Sequence, residues 1–233
     1  MGFKSKKGQF FPYTDSAPRK TFPILTILLI ILNVSIFIWS LTSEEVPYVI
    51  EGKRVLIPEV YIRYGFIPAK FSFFSFSSIA TIFTSMFLHG GIDHIFGNMW
   101  YLWIFGDNVE DKLGKIKFLL LYFLSGIGAT FLHYITNLNS EIPAIGASGA
   151  ISGILGSYLL LFPRETILTR FGYMFVRIPA FIVIGFWFFI QFLFGTISFL
   201  GGIGSGIAFF AHVGGFIFGF LFTLILKNSQ SEF

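Results

Sequence analysis

Cysteine is absent from all 233 residues, which removes disulfides, thiolate zinc sites and a cysteine nucleophile together. Charge is nearly as scarce: 12% of residues are charged against 55% hydrophobic, a balance that excludes an ordinary soluble globular fold. No charge interrupts residues 22 to 41, a stretch that crosses roughly 30 Å of hydrocarbon at helical rise. That run is too long for a signal peptide, and Trp39-Ser40-Leu41 offers no small-x-small cleavage site. The chain therefore reads as an integral membrane protein. No His-Glu-x-x-His occurs, and His89 and His94 lie five apart, so the two histidines do not share a helix face as the ligands of zinc proteases do, and no metal or cofactor is expected. The net charge of +4 does not indicate nucleic acid, because Lys4, Lys6, Lys7, Arg19 and Lys20 directly precede the first span, where topogenic charge belongs. There is also no tandem repeat and no low-complexity tract.

What is present is a series of apolar segments. Spans are predicted at residues 22–41, 92–106, 116–136, 148–162, 178–197 and 207–226, making an all-α, polytopic bundle of six transmembrane helices over residues 22–226. Residues 1–21 and 227–233 form short flanking segments, expected in the cytoplasm. Residues 71–88 are also uncharged, but His89-Gly90-Gly91 interrupts them, so they read as a partly immersed helical piece leading into the second span. The positive-inside rule supports six spans: the N-terminal segment, the loops with Lys112, Lys115, Lys117 and with Arg164, Arg170, Arg177, and Lys227 carry 12 of the 16 basic residues. The expected location is a cell membrane of the bacterial inner-membrane type, with both termini cytoplasmic.

Under that topology His89, His94, Ser148 and His212 converge on one depth near the outer side. Intramembrane ionisable residues are costly and point to function. The fourth span is short, so Ser148, at its start, sits below the outer surface beside the non-helical Pro143-Ala144-Ile145-Gly146-Ala147, tolerable there only if protein or water covers it. Ser148, Ser152 and Gly156 share one face of that helix, and His212, Gly215 and Gly219 share one face of the sixth. Small faces let membrane helices approach closely, and packing alone is the bland reading of the glycines. Close approach would also bring a hydroxyl to an imidazole, the arrangement of a serine nucleophile with its base. A helix N-terminus at Ser148 favours negative charge, and His94 and Asn98, spaced i, i+4, offer further donors for an oxyanion. An interhelical polar contact is the competing reading of Asn98. His133 stands alone in the third span and reads as packed or interfacial. Residues 201–206 are glycine-rich, but no strand precedes them, so they read as a linker and not a phosphate loop.

His89-Gly90-Gly91-Ile92-Asp93-His94-Ile95-Phe96-Gly97-Asn98, then Gly146-Ala147-Ser148-Gly149, then Ala211-His212-Val213-Gly214-Gly215 with Gly219 together resemble the rhomboid family of intramembrane serine proteases, in its bacterial-type, six-span form. The resemblance runs from residue 84 to 219, with the motifs in family order. It implies that Ser148 is the nucleophile and His212 the base of a dyad. It implies oxyanion-site residues at His94 and Asn98, nucleophile-flanking glycines at Gly146 and Gly149, a site-shaping histidine at His89 and a structural acid at Glu110. The substrates it implies are transmembrane segments of other proteins, with the lipid bilayer as setting. The fifth span, rich in Phe, resembles the family's lateral gate, although lipid-facing bulk explains it equally. One departure stands out: where some members carry an aromatic residue one turn after the nucleophile, packed on the histidine, this chain has Ser152. The alternative function is a catalytically inactive rhomboid-like binder or transporter. A membrane-anchored esterase lacks support, because there is no Gly-x-Ser-x-Gly elbow.

Overall fold

A helix stands at each of the six expected spans in the computed structural model, which describes residues 10–50, 52–171, 174–201 and 208–230. In chain order the elements are β1 (Phe10–Asp15), α1 (Ile24–Ser40), β2 (Glu45–Ile50), β3 (Lys53–Pro58), α2 (Glu59–Tyr64), α3 (Phe76–Thr84) and α4 (Ile92–Leu113). They continue with α5 (Lys115–Thr136), α6 (Ser148–Leu161), β4 (Thr166–Phe171), β5 (Met174–Pro179), α7 (Ala180–Gly201) and α8 (Phe209–Gln230). Three segments, Lys115–Thr136, Ala180–Gly201 and Phe209–Ser229, are long and apolar enough to cross a membrane by length and composition. α1 and α6 are shorter apolar helices; the 14 residues of α6 make it about 21 Å long. The interrupted apolar piece at residues 71–88 is the nine-residue α3 followed by a 3-10 turn, Ser85–Phe87, too short to span. The expected linker at residues 201–206 lies outside the described residues from 202 on, as do Lys4, Lys6, Lys7 and residues 231–233.

The second span differs from expectation in length. Hydropathy ends it at Gly106, yet α4 continues through Asp107, Asn108, Glu110 and Asp111 to Leu113. Each of these side chains has at least one partner. The buried Glu110 carboxylate accepts the backbone N–H groups of Leu25 and Thr26 at 3.0 and 2.8 Å and the Thr26 hydroxyl at 2.8 Å. These are orphan donors of the first turn of α1, whose N-cap Pro23 has no side chain to satisfy them. Arg19 pairs with Asp107 at 3.0 Å, and Asp111 accepts from the Thr21 N–H at 2.7 Å. Gly114, at φ +79, then reverses the chain into α5 within one residue.

Two small antiparallel sheets add to the helical bundle in segments read as loops. β2 and β3 form a hairpin, and β1, β4 and β5 form a sheet in the order β1-β4-β5. The β1 to β4 pairing, Phe10 opposite Phe171, gathers the N-terminal segment and the α6–α7 connection at the end of the bundle that also carries the α4–α5 turn. Asp15 anchors this end: its carboxylate accepts from the Tyr158 hydroxyl of α6 at 2.6 Å and from the Asn108 amide of α4 at 2.7 Å.

The core is a seam of α5, α6 and α8 in which glycines bring backbones into contact. A Cβ on Gly215 would strike the Gly149 carbonyl, one on Gly219 the Gly153 backbone, and one on Gly156 the Phe216 carbonyl. Gly214 lies equally close to α5, where a Cβ would sit 2.7 Å from the Gly128 oxygen. The buried Thr223 hydroxyl donates to Ser157 at 2.8 Å across the same seam. Small residues allow this dispersion-rich contact between helices that lipid gives no hydrophobic reason to associate.

Candidate active site

At the opposite end the seam joins α6 to α8 at Ser148 and His212. Ser148 opens α6, and His212 lies in the first turn of α8. The backbone approach of Gly149 to Gly215 sets the two elements at a separation that leaves the His212 Nε2 atom 2.8 Å from the Ser148 Oγ. The loop before Ser148 is held from outside the seam. Gly146 donates its N–H to the Ser85 carbonyl at 2.9 Å, and Phe66 and Ala144 exchange two backbone hydrogen bonds. The long connection between α1 and α4 thus buttresses the loop at residues 137–147, with the Tyr48 hydroxyl donating to the Glu141 carbonyl at 3.0 Å.

Gly146 adopts φ +131, where a side chain is strained, and a Cβ there would lie 2.8 Å from His94 Nε2 and 3.6 Å from Ser148 Oγ. Glycine thereby keeps open a space bordered by the serine hydroxyl and an imidazole nitrogen. The Gly90 N–H donates to His94 Nδ1 at 3.3 Å, which leaves Nε2 as the protonated nitrogen facing that space. Asn98, buried one turn along α4, donates one amide hydrogen to the His94 carbonyl at 3.0 Å, and the other has no partner among the described residues. Ser148, His94, Asn98 and His212 all line one cavity of about 1000 Å³, together with His133 of α5 and Gln191 of α7. His89 does not line it; the ring is fully buried behind His94, edge-on with centroids 5.1 Å apart. Gly149 packs its α-carbon against Ala129 of α5 and serves the seam.

The Rhomboid domain model matches residues 77–229, the stretch that holds every side chain lining the cavity. The chain belongs to the rhomboid family. Its relatives include RHOMBOID-like protein 6, mitochondrial, of Arabidopsis thaliana, 29% identical over 87% of this chain and 68% of the relative. The Putative rhomboid protease YdcA of Bacillus subtilis (strain 168) is 31% identical over 65% of this chain and 69% of its own. The Inactive RHOMBOID-like protein 8 of Arabidopsis thaliana is 31% identical over 58% of this chain and 35% of its own. The chain spans about a third of the length of two other Arabidopsis relatives, RHOMBOID-like proteins 1 and 4.

In this rhomboid the Ser152 hydroxyl donates back to the Ser148 carbonyl at 2.6 Å and does not reach toward the histidine. The His212 ring is contacted from α7 instead. Trp187 lies at a centroid distance of 6.0 Å and a 38° interplanar angle, and Gln191 Oε1 is 2.8 Å from His212 Nδ1. The sequence places Trp187 in the aromatic fifth span but does not reveal either contact with the ring. The available signal was chemical: Gln191 is the lone amide side chain in the expected span at residues 178–197, where a polar group in hydrocarbon implies a buried partner.

Proposed function

We propose that this rhomboid is an intramembrane serine endopeptidase that uses Ser148 and His212 as a catalytic dyad. The observation that carries the reading is the 2.8 Å separation of His212 Nε2 and Ser148 Oγ, within reach for proton transfer. Ser148 Oγ attacks a peptide carbonyl as His212 Nε2 takes its proton; the imidazolium then protonates the leaving amine, and water, deprotonated by the same nitrogen, hydrolyses the acyl-enzyme. The developing oxyanion is met by the Ser148 backbone N–H at the start of α6, by His94 Nε2–H and by the free amide hydrogen of Asn98. Gly146 keeps the space for it open, and His89 backs His94. No step calls for a metal or cofactor.

The substrates are transmembrane segments of other membrane proteins. A helix ties each carbonyl into an i to i+4 hydrogen bond, so the scissile stretch must unwind locally and residues of low helix propensity favour cleavage. The chain crosses the membrane six times with both termini cytoplasmic, following its basic loops, and the site opens to the outer side. A fluorophosphonate probe tests the assignment: it labels the wild type and not Ser148→Ala, and equal labelling of the two overturns it.

A further inference from the structure

We infer that Gln191 is a positioning residue of the dyad, holding His212 in the one tautomer that can deprotonate Ser148. The inference rests on the dyad reading above. An imidazole has two nitrogens, and in the neutral ring only one carries a proton. A side-chain amide oxygen can only accept, so the 2.8 Å contact of Gln191 Oε1 with His212 Nδ1 puts the proton on Nδ1. Nε2 is then left with its lone pair toward the Ser148 hydroxyl, also 2.8 Å away. The opposite tautomer would point a proton at the serine and leave no base.

The position is built for this contact. Gln191 follows Trp187 by four residues, so both lie on one face of α7, and that face meets the His212 ring. Phe188, on the next step of the same face, packs on Phe216 of α8 at 4.4 Å between centroids, which seats α7 one turn from the histidine. Ser152, one turn after Ser148 on α6, spends its hydroxyl on the Ser148 carbonyl. A neutral amide supplies orientation without placing a second charge in the span.

The test uses the full chain in detergent, with fluorophosphonate labelling resolved into a maximal rate and a half-saturating concentration, and with 15N-histidine NMR under conditions where the imidazole is neutral. Gln191→Met keeps the shape and removes the acceptor: the maximal labelling rate falls on the order of 10-fold while the half-saturating concentration changes less than about twofold. Gln191→Glu restores an acceptor and recovers the rate to within a few-fold. The His212 spectrum, assigned by its loss in His212→Ala, shows the proton on Nδ1 in the wild type and moves toward Nε2 in Gln191→Met. A wild-type spectrum with the proton on Nε2, or a Gln191→Met protein with unchanged rate and spectrum, overturns the inference. Labelling that persists in Ser148→Ala instead overturns the dyad reading, and the spectrum still decides the Gln191 contact in that case.

Discussion

Along α6 and α8 the backbones are in contact, with Gly149, Gly153, Gly156, Gly215 and Gly219 leaving no room for a β-carbon. α7 is the reverse: Phe181, Phe186, Phe189 and Phe192 are all exposed, and a Cβ on its Gly185 would meet nothing within 4 Å. Yet both regions address the same histidine. The seam determines where His212 and Ser148 stand, because the helices that carry them cannot shift without backbone collision. The loosely packed helix determines how the ring is turned, through Trp187 and Gln191. Location and orientation of the His212 ring thus have separate structural determinants, and each can be disturbed without the other.

The largest disturbance removes what the two regions share. His212→Ala should lower turnover by about 10⁴-fold or more while the protein keeps its thermal unfolding profile, since it deletes the proposed base and no seam contact. Retained cleavage of a membrane substrate would refute the assignment. Asn98→Ala leaves both regions untouched and deletes one proposed oxyanion donor, so kcat should fall by about 10²–10³. An unchanged kcat would return Asn98 to a packing role. Gly215→Val strikes the seam itself and should cost about 2–3 kcal/mol in unfolding free energy, whereas Gly185→Ala on α7 should change it by less than about 1 kcal/mol, toward greater stability. Equal losses in a thermal unfolding assay would erase the contrast between the seam and α7.

The smallest effect lies at the far end of α6. Burial, opposed by the Tyr158 hydrogen bond and reinforced by the nearby Asp107, pushes the Asp15 carboxyl up to about 6 from 3.8. A carboxyl raised on folding binds its proton more readily in the native state, so its contribution favours folding at low pH and is lost as pH rises from about 4 through about 6. Asp15→Asn keeps an oxygen for Tyr158 and Asn108 and should flatten that decline by a few degrees of Tm. A wild-type Tm that rises over the same window, with the rise removed in Asp15→Asn, contradicts the sign.

The helical segments were legible because each is a run long enough to be read without knowing its neighbours. Ser148, His94, Asn98 and His212 were legible because polar groups in such runs are few, and the glycines around them say where helices touch. The end of α4 was not, since Glu110 looks like a boundary until the first turn of α1 is seen donating to it. β1 and β4 escaped for a related reason: each is six residues long, and its partner lies more than 150 residues away in register. Gln191 was hidden by its single occurrence, which carries no period from which a facing helix can be deduced. Hydropathy records what a segment avoids; it does not record which segment it meets.

The extent of the family match and the extent of the cooperative fold are different things. The match begins at residue 77, but the Tyr158 hydroxyl of α6 is satisfied by Asp15, and the Glu110 carboxylate by the start of α1. A chimera joined at residue 77 to another rhomboid's N-terminal part would preserve every side chain around Ser148 and still strand a buried hydroxyl and a buried carboxylate at the other end of the same helices, each at about 1–3 kcal/mol. For this chain, exchangeable modules would have to be cut along hydrogen bonds and not along the borders of sequence similarity.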